Sequence, residues 1–189
     1  KKLLEREFKT REESFLQISR DLHDEIGSSL SGINMLSQLA QQQLQEQKIE
    51  SANQLLQKIN IYTNEVIDKV SDMAWLLKPS QDSLAILIKK IKAYALTAAT
   101  SKYMQLQFDD SFEVNELELS IQQRKAIYLI SKEAINNAVK YSGCKTIYYG
   151  IHSQNNKLKL VIQDDGKGFT LAEINEGNGL KNMRARAEE

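Results

Sequence analysis

The sequence predicts an α+β fold in two parts: a long helical hairpin, then a domain that mixes helices with short strands. Three features carry that reading. Apolar residues recur at threes, fours and sevens through roughly the first eighty positions, the spacing of one helix face. The only proline, Pro79, closes that pattern. Beyond it, apolar and polar residues alternate in short runs between helical segments, without a regular strand–helix–strand repeat.

Residues from about 2 to 46 read as one helix. Phe8, Phe15, Ile18, Leu22, Ile26, Ile33, Leu36, Ala40 and Leu44 draw its apolar stripe, with small Ser29 in the one gap. At about 1.5 Å per residue such a helix is over about 60 Å long. The Gln- and Glu-rich stretch Gln41–Glu50 supplies a turn. A second amphipathic helix follows, with Leu55, Leu56, Ile59, Tyr62, Val66, Val70, Met73 and Leu77 on one side. A hairpin of two such helices leaves an apolar edge uncovered. Pairing two hairpins into a four-helix bundle covers it, so a homodimer is expected. The expected boundaries are 1–78 for the helical domain, 79–82 for a linker and 83–189 for the second domain.

In the second domain Ser80 or Asp82 is expected to cap a helix carrying Leu84, Leu87, Ile88, Ile91, Tyr94, Ala95 and Ala98. Met104, Leu106 and Phe108 alternate as in a strand, and Leu117 and Leu119 do likewise. Ser120 caps a helix over 121–141, and 146–151 and 158–164 read as strands joined at Gln154-Asn155-Asn156.

Composition narrows the function. The chain is 41% hydrophobic and 26% charged, as in ordinary globular proteins. Its 25 basic and 25 acidic residues balance, which argues against a nucleic-acid or polyanion partner. The single cysteine, Cys144, excludes an internal disulfide and fits a reducing compartment; at a helix-to-strand junction it reads as a buried structural thiol. No run of about 18 apolar residues crosses a membrane. The N-terminus Lys1-Lys2-Leu3-Leu4-Glu5 reads as a helix already under way rather than a signal peptide, so a longer chain upstream is expected.

Four segments carry candidate chemistry. His23, one of two histidines, is followed at once by Asp24 and Glu25. It stands about 100° round the helix from the stripe, on a flank that a partner can reach. By itself it also fits an ordinary solvated histidine. Glu133, Asn137 and Lys140 fall at i, i+4 and i+7 on one face of the helix after Ser120, beside Tyr141. A carboxylate, an amide and an ammonium in one row suit hydrated magnesium with attached phosphates. Asp164-Asp165-Gly166-Lys167-Gly168 follows a strand; its glycines let backbone approach a ligand, and Asp164 can accept from an exocyclic amine. Gly177 and Gly179 open a helix that begins near Leu180, where free amides can meet a phosphate. His152 and Trp75 read as a strand residue and a packing residue.

In this order the last three segments resemble the N, G1 and G2 boxes of the Bergerat-type ATPase fold. Arg20-Asp21-Leu22-His23-Asp24-Glu25-Ile26-Gly27 resembles the phosphoacceptor box of sensor histidine kinases, in the subfamily whose histidine is followed by aspartate. The resemblance implies a dimeric four-helix phosphotransfer bundle followed by a Bergerat-type α/β sandwich that binds ATP and Mg2+. It implies His23 as phosphoacceptor, with Asp24 to orient or deprotonate it. Asn137 resembles the magnesium ligand and Glu133 the residue that holds or activates metal-bound water. Lys140 and Tyr141 would meet the phosphates, Asp164 would read adenine, Gly166 and Gly168 would shape the pocket, and Gly177, Gly179 and Leu180 would form the lid and phosphate end. The implied partners are a second copy and a response-regulator receiver domain, with a cytoplasmic location and a membrane anchor, if any, elsewhere in the full-length protein. Two departures stand out. Ser28 occupies a position where the subfamily often has glutamine or asparagine for phosphatase action. The sequence also stops at Glu189, before two strands that complete the family's sheet. The rival readings are a non-catalytic nucleotide-binding scaffold and an anti-sigma-type protein-serine kinase.

Overall fold

The computed structural model describes residues 2–78, 83–109, 119–154, 157–170 and 178–188. They divide into two compact units, Lys1–Pro79 and Ser80–Glu189. The first is an antiparallel hairpin of α1 (Lys2–Gln45) and α2 (Ile49–Leu76). The turn is tight: Gln47 takes φ 60°, and Lys48 N–H donates back to the Gln43 carbonyl at 2.8 Å. A left-handed residue at that point ends the α1 ladder and reverses the chain.

The inner row of α1 runs through Ile18, Leu22, Ile26, Ser29, Ile33, Leu36 and Ala40, all buried or half-buried. That of α2 runs through Ala52, Leu55, Ile59, Val66, Met73 and Leu76. The stripes expected from periodicity were too broad. Phe15 and Leu44 on α1, and Leu56, Tyr62 and Val70 on α2, are exposed. One helix covers only one side of its neighbour, so apolar residues further round form an outer row that a single hairpin leaves in solvent. Phe8 and Pro79 lie outside the residues whose side chains are described.

In the second unit α3 (Leu84–Thr100) is capped by Ser83, whose hydroxyl accepts from Ala85 N–H at 3.3 Å. This corrects the expected cap at Ser80 or Asp82, both outside the described residues. Strand β1 (Gln105–Asp109) follows. Leu119 is buried but not in a strand, and Leu117 lies outside the described residues. Helix α4 (Ile121–Asn137) opens with a reciprocal cap: Ser120 Oγ accepts from Gln123 N–H, and Gln123 Oε1 from Ser120 N–H. It ends four residues earlier than expected and passes into a π turn over Ala138–Ser142. There the Ser142 hydroxyl bonds back to the Ala138 carbonyl at 2.7 Å, and Gly143 takes the left-handed φ that terminates the helix. Strands β2 (Thr146–Gln154) and β3 (Lys157–Asp164) and helix α5 (Asn178–Glu188) complete the described chain.

The sheet has the order β1-β2-β3, with β1 parallel to β2 and β2 antiparallel to β3. Register places Leu106 and Phe108 of β1, Ile147, Tyr149 and Ile151 of β2, and Leu160 and Ile162 of β3 on one face. Helices α3 and α4 pack on that face, with Leu84, Leu87, Ile91, Ala95, Tyr128 and Ile135 buried. Tyr149 stacks on Phe108 with ring centroids 4.6 Å apart, and its hydroxyl meets the Ser131 hydroxyl at 3.2 Å. Burial pushes the Tyr149 phenol up to about 12, which the bond to Ser131 offsets only in part. Cys144 is buried beside Met104, Ala138 and Ile147, in the structural role the sequence suggested.

Candidate active site

The candidate residues of the second unit lie at the end of α4, the end of β3 and the start of α5, and α4 packs against both of the others. Asp164 is the last residue of β3, and its pairing with Ile147 puts it on the helix-covered face. Its Oδ1 accepts the Gly166 N–H at 2.9 Å, which folds the following loop back over the strand end. That leaves Oδ2 for another donor. Gly166 is required by close approach: a Cβ there would lie 2.6 Å from both Cβ and the carbonyl oxygen of Ser142. Lys167 N–H donates to that same carbonyl at 3.0 Å. Gly168 has φ +63°, a conformation that side chains disfavour.

Asp165 does a separate job. Its Oδ1 accepts from the N–H groups of Lys145 and Thr146, at 2.7 and 2.9 Å. These backbone donors hold its carboxyl below the usual carboxylate range. The two adjacent aspartates therefore divide their roles. Asp165 ties the loop to the start of β2, and Asp164 lies on the helix-covered face with Oδ1 bound to the Gly166 N–H.

Glu133 of α4 lies against Gly179 in the first turn of α5, so closely that a Cβ at 179 would collide with the Glu133 carboxylate unless that side chain moved. Asn137 follows Glu133 by four residues, so their side-chain oxygens share one face. That pair of side-chain oxygens, next to a glycine whose missing side chain leaves the Glu133 carboxylate room, fits a hard divalent cation with attached phosphate. Lys140 does not continue the row. It rides on the π turn, whose wider winding displaces it from the i+7 position of an α-helix; it and Tyr141 are exposed. Leu180 is half-buried in α5, and Gly177 lies outside the described residues.

Sequence reasoning missed Ser142, Asp165 and the pair Tyr94–Asn136, in which the Tyr94 hydroxyl donates to Asn136 Oδ1 at 2.6 Å. The doubled aspartate before Gly166 was a visible signal for the second. The other contacts join residues distant in sequence and left none.

In the hairpin, the His23 side chain is 89% exposed and Asp24 86%, with His23 Nδ1 3.5 Å from Asp24 Oδ1. His23 stands seven residues from each of two exposed leucines, Leu16 and Leu30, and so belongs to the outer row of α1. Ser28 is also exposed and, with Ser29, Gly32, Tyr62 and Glu65, lines an open pocket of about 230 Å³ between α1 and α2. Among the described residues no helix is long and apolar enough to cross a membrane.

Residues 16–82 match the HisKA_3 family, described as histidine kinase. The signal transduction histidine-protein kinase/phosphatase UhpB of Salmonella typhimurium is 26% identical over 186 residues, covering 98% of this chain and 36% of that protein. DegS of Bacillus subtilis, a signal transduction histidine-protein kinase/phosphatase, is 26% identical over 185 residues, covering 94% and 47%. The sensor protein VraS of Staphylococcus epidermidis is 29% identical over 177 residues, covering 92% and 48%. The chain thus spans about a third to a half of the length of these relatives. Among solved structures, the Erythrobacter litoralis EL346 blue-light activated histidine kinase aligns with a TM-score of 0.50 at 18% identity, covering 78% of this chain and 55% of that one; this likeness bears on the fold.

Proposed function

We propose, from the premise that the chain belongs to the two-component sensor histidine kinase family, that it transfers the γ-phosphoryl group of ATP to His23 and onward to an aspartate of a response-regulator receiver domain. The observation that carries the reading is that one unit holds both the Glu133–Gly179 contact and the Asp164–Gly166 loop, while the other, the hairpin, offers an exposed histidine next to a carboxylate.

In this reading Glu133 and Asn137 would hold Mg2+, and Asp164 Oδ2 would accept from the adenine amine. Bound Mg2+ supplies charge neutralisation on the phosphates. Asp24 sits on the Nδ1 side of His23. By accepting a hydrogen bond from Nδ1–H it favours the tautomer whose lone pair lies on Nε2. Nε2 attacks phosphorus, the bond to the ADP oxygen breaks, and the Nδ1 proton passes to Asp24. Exposure of His23 serves both steps, since the same nitrogen must meet the nucleotide and then a receiver aspartate. Residues 1–78 act as dimerisation and phosphotransfer domain and 83–189 as catalytic domain. A second copy covers the outer apolar row.

The test is incubation with γ-labelled ATP and Mg2+ beside His23→Gln. Acid-labile label lost in the variant is expected. Acid-stable label that persists in the variant would move the acceptor to a hydroxyl and favour a serine kinase. Absence of label, with ATP binding intact, would favour a scaffold.

A further inference from the structure

The end of α4 is held in an unusual way. The α ladder of α4 runs through Asn137, and the Ala138 N–H still bonds to the Ala134 and Ile135 carbonyls before the π turn begins. A side-chain clamp joins α3 to this last turn. The Tyr94 hydroxyl, reaching from α3, donates to Asn136 Oδ1 at 2.6 Å. Lys132 Nζ, one turn back, lies over the Tyr94 ring at 4.9 Å and over the Tyr128 ring at 5.9 Å. These contacts grip one side of α4. Asn137 is one residue, about 100°, further round. The helix backbone fixes Asn137 relative to Asn136, so Asn137 follows whatever rotation against α3 the clamp sets for Asn136.

We infer that Tyr94 is a positioning residue for the candidate metal ligand Asn137, acting through Asn136; this rests on the ATP–Mg2+ reading above. Tyr94 has no part in the chemistry. It holds the amide oxygen of Asn137 on the same side as Glu133, so that the cation meets two ligands already in place. Preorganisation of this kind concerns the metal rather than the base or sugar.

The prediction is specific to Mg2+. Binding of a fluorescent ATP analogue, displaced by ATP, is measured in Mg2+ and in EDTA for the full chain, Tyr94→Phe and Asn136→Ala. Both variants are expected to need roughly five- to tenfold more Mg2+ for half-saturation, as for loss of one hydrogen bond, with EDTA affinity unchanged. The double variant should lose no more than either single one. In nucleotide-free protein the Asn137 side-chain amide resonances should shift in Tyr94→Phe, which keeps the ring under Lys132. An unaltered Mg2+ requirement, an equal loss with and without Mg2+, or an unshifted Asn137 amide overturns the assignment. Failure of the unaltered chain to bind ATP at all would defeat the parent reading and leave the amide resonance to decide the positioning claim.

Discussion

The two units use apolar side chains in opposite ways. Among the described residues, twelve of the exposed large hydrophobics lie in the hairpin and four in the sheet unit. In the sheet unit Leu84, Leu87, Ile91, Ile135 and Ile147 are almost fully buried in a two-layer core. The hairpin puts Leu16, Leu30, Leu56, Ile67 and Val70 in solvent. The difference teaches that the sheet unit covers its own apolar face and holds loops at fixed distances, whereas the hairpin leaves an apolar row bare. The proposed acceptor histidine suits the second design. It sits on that outer row, reachable from solvent, on a scaffold whose stability, in the proposed dimer, is shared with a second copy.

The comparison can be broken most directly at the outer row. Leu56→Glu combined with Val70→Glu is expected to weaken self-association by at least about a hundredfold, since each apolar side chain of this size contributes roughly 1.5–3 kcal/mol when buried. Sedimentation equilibrium would read it, with nucleotide binding by the sheet unit unchanged; an intact dimer would place the interface elsewhere. Next in size, Ile135→Ala should cost the sheet unit about 2–5 kcal/mol in denaturant unfolding, while exposed Ile61→Ala in the hairpin should cost well under about 1 kcal/mol. Similar costs would erase the contrast.

Gly179→Ala sharpens it within the site. The atom in the way is the end of a flexible side chain, so Glu133 can swing aside and Tm should barely move. The histidine-labelling rate should fall by about ten- to a hundredfold, because the displaced carboxylate no longer shares a face with Asn137. A parallel loss of Tm would make the contact structural instead.

Asp165 should show in the acid limb of stability. Its folded carboxyl is depressed from an unfolded value near 3.8, so it adds stability above that pH and loses it as pH falls through the lower folded value. Asp165→Asn is expected to flatten the acid-induced loss of stability, measured by thermal unfolding from pH 6 down to about 2. The smallest effect lies at Tyr103, fully exposed with φ 58° at the end of α3. Tyr103→Gly should raise stability by about 0.5–1 kcal/mol, since glycine adopts that backbone without steric cost.

Much of the architecture was legible because it is local. Period 3.6 marks α1 to α4, alternation marks β1 to β3, and Ser120 with Gln123 announces the start of α4. The glycine and aspartate motifs were legible because few residue types tolerate their backbone demands, as Gly166 against Ser142 and Gly168 at φ +63° illustrate.

What the sequence by itself determined, then, is the order of the elements, the apolar faces and the residue types available for chemistry; each depends on neighbours a few positions away. Only the tertiary structure decided which half of each hairpin stripe is inner and which outer, that α4 yields to a π turn before Lys140, and that Asp165, Ser142 and Tyr94 steady the site. The bonds of Asp165 and Tyr94 join atoms 20 or more positions apart, as in Asp165 with Lys145 and Tyr94 with Asn136. Periodicity reports which face of a helix is apolar, but it carries no distance to a partner, and hydrogen bonds of 2.6 to 3.0 Å are decided by that distance alone.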